Sequence, residues 1–269
     1  MSYRDLDRPP LDTAALRSAL TGPKRFFSEV VVTAQTGSTN ADVAAAARSG
    51  APEGLVHVTD AQTAGRGRLD RTWESPAGSG AIVSVLLRPD GVPPARWVWL
   101  PLLAGLAVDA TVQECGVGSS LKWPNDVLVD GRKIAGILLE RTETPIGPAA
   151  VVGVGLNVSL RRDELPTPAA TSLLLEGATE TDRTIVIRAF LRNLEALYRA
   201  WSASGGDPAG GIRDSYVRRC VTIGQRVRVT QPHDEPLEGL ATGIDEMGRL
   251  LVDGRAISAG DVTHVRPAG

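Results

Sequence analysis

At 269 residues, 42% of them hydrophobic, the chain is long enough for one large domain and a small one. Its 29 basic and 31 acidic side chains leave a formal charge of −2, which excludes a broad basic face for sequence-independent nucleic-acid binding and leaves room only for a local basic loop. Two distant cysteines, Cys115 and Cys220, and three scattered histidines exclude a structural zinc site and a disulfide framework, and fit a reducing cytosol.

The opening MSYRDLDRPPLD is charged and does not read as a signal peptide. Residues 1–27 hold one short helix at most, TAALRSAL, and read as a short N-terminal extension. About 35 residues precede the first motif, whereas a three-helix DNA-reading domain needs roughly 60, so no N-terminal helix-turn-helix is expected. SEVVVTAQ (28–35) has the β-branched run of a strand. TGSTNADVAAAARSG (36–50) predicts a helix capped by Ser38 or Thr39 and ended by Gly50. GLVHVTDAQ (54–62) is a second strand that ends at Gln62 and leads into TAGRGRLDRTWESPAG (63–78), too Gly-rich for a helix.

AIVSVLLRP (81–89) is a third strand. WVWLPLLAGLAV (97–108) is too short to span a bilayer and reads as part of a buried helix near 100–114, with Pro101 tolerable near its start. DVLVDGRKIAGILLE (126–140) is a β-hairpin turning at Asp130-Gly131, and AAVVGVGLNVSL (149–160) is a Gly-rich strand. In TIVIRAFLRNLEALYRAWSAS (184–204), Ile187, Leu191, Leu194, Tyr198 and Trp201 recur at helical spacing. After about residue 216 the pattern changes to short alternating strands split by Gly-containing turns, as in a small β-barrel. The domains expected are therefore 28–217 and 218–269.

Four segments can carry chemistry. In the arginine segment, Gly65 and Gly67 allow close backbone approach, while Arg66, Arg68 and Arg71 offer forked donors suited to phosphate; a solvated basic loop is the alternative. It is neither a Walker loop nor a dinucleotide turn. In LKWPNDVLVDGRKIAGILLE (121–140), Lys122 and Lys133 lie on either side of the hairpin start; Asn125 and Asp126 could orient a metal-bound phosphate or simply make the turn, and Lys133 is an exposed strand lysine unless it points into a pocket. Gly136 is costly in a strand unless something approaches its backbone. GVGLNV (153–158), with Asn157, marks tight packing or a ligand lying flat. Ser38, Thr39 and Asn40 cluster two hydroxyls and an amide that suit an uncharged urea or amide head group, with Gln62 adding a donor and an acceptor.

The order GSTN, QTAGRGRLDRTWESPAG, KWPNDVLVDGRKIAGILLE and GVGLNV, followed by a small β-domain, resembles the biotin protein ligases. The resemblance runs from about residue 30 to the end. It implies an α+β fold: a mixed β-sheet backed by helices, of the class II aminoacyl-tRNA synthetase-like type, with a C-terminal SH3-like β-barrel. It implies an enzyme that makes biotinyl-5′-AMP from biotin and ATP with Mg²⁺, releases pyrophosphate, and moves biotin to one lysine of a carboxylase's biotin carboxyl carrier domain. By match to the family motifs, Ser38, Thr39, Asn40 and Gln62 would meet the ureido group. Arg66, Gly67 and Arg68 would hold the biotin carboxylate and the adenylate phosphate, with Lys133 the first choice for catalytic polarisation. Arg71 would assist loop closure or phosphate contact, Trp73 would pack on the loop or adenine side, and Lys122, Asn125 and Asp126 would support the nucleotide and metal. Asn157 would border the nucleotide or biotin, and Gly136 would open the backbone to the ligand; no metal ligand is assigned. The chain resembles the monofunctional class, acting in the cytoplasm without DNA or membrane. It departs from some relatives at Leu69-Asp70, where they carry a glycine and a basic residue. The rival readings are a lipoate or octanoate enzyme of the same fold, against which the GRGR and KWPND motifs argue, and a non-enzymatic binding module.

Overall fold

The computed structural model describes residues 8–69, 71–231, 234–258 and 260–265. Along the chain α1 (Thr13–Leu20) leads to β1 (Glu29–Thr33), α2 (Thr39–Arg48), β2 (Leu55–Thr59), β3 (Gly80–Leu87) and α3 (Leu100–Glu114). Next come β4 (Ser120–Lys122), β5 (Asp126–Val129), β6 (Arg132–Thr142), β7 (Ala149–Asn157), α4 (Arg183–Ala203) and α5 (Ile212–Arg219). The chain closes with β8 (Arg226–Gln231), β9 (Asp234–Ile244), β10 (Leu250–Val252), β11 (Arg255–Ile257) and β12 (Asp261–His264).

Seven strands form one sheet in the order β1-β2-β3-β7-β6-β5-β4. Only the β1–β2 pair is parallel, so the sheet is mixed, as expected. Alternation along each strand sorts its two faces. Val83, Val85 and Leu87 of β3 and Val152, Val154 and Leu156 of β7 enter the main core with α1, α3 and α4. The opposite face carries α2, which packs Val43 and Ala47 on Leu55, Leu86 and Val151. Beside that small core, this same face presents Ser84, Gly136, Gly153 and Gly155, where the strands have no large side chain to bury.

The hairpin at 130–131 forms as expected, with positive φ at both Asp130 (48°) and Gly131 (76°), the geometry a two-residue turn requires. β6 then breaks register. Val127 pairs with Ala135 and Leu128 with Lys133, so Ile134 is an extra residue. Strict alternation would point Lys133 with Ala135 and Ile137 into the core. The bulge turns it to the opposite face.

The last five strands form an antiparallel sheet ordered β11-β10-β9-β8-β12. It is joined to the large unit by two buried indoles. Trp99 Nε1 donates to Glu246 O at 2.8 Å and Trp123 Nε1 to Gly248 O at 3.0 Å. Two expectations are corrected. The stretch before residue 28 is not an appended extension, because Leu11, Leu16, Leu20 and Phe27 are buried in the main core. Helix α5, Ile212–Arg219, runs across the expected boundary at 217–218.

Candidate active site

A cleft of roughly 910 Å³, open mouth included, lies over the glycine-bearing face of the large sheet. Gly136 and Gly155 face each other across β6 and β7. The indole of Trp73 lies on them. A Cβ on Gly155 would stand 2.4 Å from Trp73 Cε2, and one on Gly136 would stand 3.1 Å from Cζ3. A flat ring already rests on bare backbone here, so this floor accepts planar groups. At Gly153 the close neighbour is Asn40 Oδ1, 2.2 Å from an added Cβ.

One end of the cleft is polar but uncharged. Ser38 caps α2 only loosely, at 3.5 Å from Ala41 N, which leaves its hydroxyl available. Thr39 donates through N and Oγ1 to Gln62 Oε1, at 2.8 and 3.1 Å. Ser84 Oγ sits 2.7 Å from Thr39 Oγ1 and 2.6 Å from Asn40 Oδ1. Asn40 Nδ2 donates to Glu140 Oε2 at 2.7 Å, which sets which way its amide points. The cluster is tied together by its own hydrogen bonds, so a ligand meets preset donors and acceptors.

The arginine segment is a small hairpin rather than an open loop. Arg66 and Thr72 form an antiparallel bridge, Trp73 N donates to Gly65 O at 2.9 Å, and Gly67 N donates to Arg71 O at 2.6 Å. Gly65 is required for closure, since a Cβ there would stand 2.3 Å from Trp73 O. Leu69 turns the tip at φ 53°. The base is stitched to the start of α2 through Thr63 N to Thr36 O (2.9 Å) and Ala64 N to Gly37 O (2.8 Å).

The other end is cationic. Among the described residues, five basic side chains (Arg66, Arg68, Arg71, Lys122 and Lys133) stand against three carboxylates (Asp126, Glu140 and Asp261), a surplus of two positive charges. Lys133 Nζ is 2.5 Å from Asp126 Oδ1 and 5.8 Å from the centre of a Trp73 ring. Arg66 Nη2 is 3.0 Å from Glu140 Oε2, and Arg71 pairs with Asp261. Arg68 instead donates to the neutral Asn125 Oδ1 at 3.3 Å. Among the described residues, Arg68 and Lys122 make no ion pair. Burial lowers the basicity of Arg68, partly opposed by Asp126 and Asp261. An arginine so held stays charged, and its charge is only partly cancelled by its neighbours.

Most sequence candidates converge here: Ser38, Thr39, Asn40, Gln62, Arg66, Gly67, Arg68, Arg71, Trp73, Lys122, Asn125, Lys133 and Gly136 all line the cleft. Asn157 does not. Its amide donates to Thr171 O at 2.9 Å and ties β7 to the following loop. Sequence reasoning missed Ser84, Glu140 and Asp261. Ser84 had a signal, a lone hydroxyl in the apolar run AIVSVLL; Glu140 and Asp261 had none, being ordinary strand carboxylates by sequence. Neither cysteine lines the cleft, and burial pushes the Cys115 thiol up to about 11, so no thiol chemistry is available there. Among the described residues no group of three or more His, Cys, Asp or Glu could hold a metal ion.

The fold is a mixed sheet with an arginine-bearing hairpin above a glycine floor. Residues 32–157 match the biotin/lipoate A/B protein ligase family, and residues 222–265 match the biotin protein ligase C-terminal domain. A biotin–[acetyl-CoA-carboxylase] ligase of Mycobacterium tuberculosis is 45% identical over 99% of this chain and 100% of its own length. The bifunctional ligase/repressor BirA of Bacillus subtilis is 37% identical over 77% of this chain and 64% of its own. Among solved structures, the Aquifex aeolicus biotin protein ligase in complex with biotin and ATP superposes with a TM-score of 0.75 at 26% identity, covering 89% of this chain and 100% of that one. The chain belongs to the biotin protein ligase family.

Proposed function

We propose that this protein is an ATP-dependent biotin ligase acting on the carrier domain of a biotin-dependent carboxylase, that of acetyl-CoA carboxylase first. The observation that carries the reading is the polarity of one cleft: an uncharged hydrogen-bonding end and a cationic end, joined by a glycine floor on which the Trp73 indole lies. Biotin has the matching polarity, a ureido group at one end and a carboxylate at the other. The ureido N–H and C=O meet Ser38, Thr39, Asn40 and Gln62. A lipoyl or octanoyl group would leave those polar groups unmatched, which disfavours it.

At the cationic end the biotin carboxylate oxygen attacks the α-phosphorus of ATP. The bond from that phosphorus to the α,β-bridging oxygen breaks and pyrophosphate leaves. Two anions must meet for this, and Arg68 and Lys133 offset their repulsion and the charge that builds on the phosphoryl oxygens. Lys133 reaches the reacting centre by exchanging Asp126 for the ligand, and Arg66 does the same by leaving Glu140. Asp126 and Asn125 would hold a Mg²⁺ that arrives with the nucleotide; such an ion needs only one or two carboxylates beside phosphate and water, and this donor set fits it. That ion would draw charge from the phosphates. In the second half-reaction the carrier lysine amine attacks the acyl carbon, the carbon–oxygen bond to AMP breaks, and the amine gives up a proton. The adenylate is hydrolytically fragile, so Trp73 and the hairpin serve to keep water off it. The cytoplasm, where carboxylases and reduced cysteines are found, is the proposed site of action.

The test is pyrophosphate release with ATP and biotin, lipoate or octanoate in parallel, followed by biotin transfer to a purified carrier domain and to the same domain with its target lysine replaced. Release with biotin and labelling of the unmodified carrier domain alone are expected. Release with lipoate but not biotin would overturn the reading.

A further inference from the structure

The third arginine of the hairpin is held by the far end of the chain. Both Nη atoms of Arg71 donate to the carboxylate of Asp261, 190 residues away, and the Nη1–Oδ1 contact is 3.5 Å. Asp261 opens β12, and its backbone is fixed by pairing with Thr230 of β8. That sheet is anchored in turn by the Trp99 and Trp123 indoles, and Trp123 belongs to the same KWPND segment that lines the cleft. Gly260, Asp261 and Val262 thus reach the cleft rim beside Lys122 and Arg68.

The energetics argue against a structural staple. The Arg71 and Asp261 side chains are 63% and 41% exposed, and an ion pair in that setting adds little to folding. What the pair does is bridge the hairpin tip to a strand paired into the C-terminal sheet across the mouth. Asp261 also attracts the charge on Arg68, so one carboxylate faces two of the three arginines.

We propose that Asp261 is a positioning residue for the activation step: by holding Arg71 it draws the arginine hairpin over the cleft and keeps Arg68 aimed at the phosphate. This rests on the ligase reading above. The same exposure makes the clamp easy to open, which the second half-reaction needs so that the carrier lysine can reach the acyl carbon. Salt weakens such a pair.

The test compares wild type with Asp261→Asn, Asp261→Glu, the single variants Arg71→Asp and Asp261→Arg, and the swapped pair Arg71→Asp/Asp261→Arg. Three quantities are read: release of labelled biotinyl-adenylate, KM for ATP against kcat, and ligand-free hydrogen exchange of the amides in 65–73. Asp261→Asn should speed adenylate release and raise the ATP KM by about two- to fivefold, the range an exposed pair can supply. It should also speed exchange in the hairpin and lower kcat, with Tm little changed. Asp261→Glu should recover most of the effect, and the swapped pair should exceed either of its single variants. Release and exchange equal to wild type in Asp261→Asn would overturn the proposal, as would a swapped pair no better than its singles. If wild type makes no adenylate at all, the ligase reading fails, while hydrogen exchange still decides the clamp.

Discussion

Single atoms decide much at this site. A methyl on Gly155 would collide with the Trp73 indole, and one on Gly153 with the Asn40 amide. The two glycines sit two apart on one strand, yet they should fail differently. Gly155→Ala should lift the indole and weaken adenylate binding by roughly tenfold, since overpacking costs on the order of 1–3 kcal/mol. Gly153→Ala should raise the KM for biotin and leave that for ATP near normal. Steady-state kinetics with each substrate varied in turn separate the two; equal effects on both KM values in both variants would contradict this division. Lys133 depends on one inserted residue, Ile134, for its direction. Lys133→Ala should lower the rate of adenylate formation by about 10²–10³, the usual loss when one donor to a developing oxyanion is removed. A single-turnover rate near wild type would remove the lysine from the chemistry.

At the scale of elements, strands and long helices were legible because their periodicities are strong, and the Asp130-Gly131 turn because its residues tolerate positive φ. The Gly-rich composition of the arginine segment excludes a helix but does not reveal the hairpin it forms. Its closure depends on Gly65 meeting the Trp73 carbonyl, a contact eight residues apart that local pattern does not encode. The bulge in β6 escaped for the same reason, since the extra residue is defined only by its partner strand. Asn157 was expected at the ligand and instead holds the 171 loop, because a buried amide takes the nearest carbonyl. Helix α2 offers an element-scale test. Its cap bond from Ala41 N to Ser38 Oγ is 3.5 Å long, so the hydroxyl contributes little to the helix. Ser38→Ala should therefore cost less than the ~1 kcal/mol typical of a lost cap, while raising the biotin KM severalfold. A large fall in Tm with unchanged biotin KM would assign Ser38 to the cap alone.

At the scale of the whole molecule, the two sheets share one continuous apolar cluster, in which Val227, Ile244 and Leu250 join the core of the large unit. They are expected to unfold together, and two histidines placed in different parts of that body should report it through pH. His57, on β2, lies 3.0 Å by Nε2 from Thr33 Oγ1 and 3.3 Å by Nδ1 from Asp42. Burial lowers its pKa, and Asp42 opposes this only in part. His264, on β12, is likewise lowered, by burial and then by Lys122. In the unfolded chain both titrate at about 6.5. Below that pH the unfolded state takes up protons that the folded state resists, so stability falls as the solution is acidified and is fully present above about 6.5. The loss begins there, above the range in which carboxylates titrate, and levels off once the folded imidazoles are protonated too. Thermal unfolding followed from about pH 8 to pH 5 should show Tm falling in this window, with a single transition throughout. His57→Gln should flatten the slope whatever its effect on Tm at neutral pH. A Tm independent of pH across the window, or an undiminished slope in His57→Gln, would show that burial of this imidazole is not linked to the global fold.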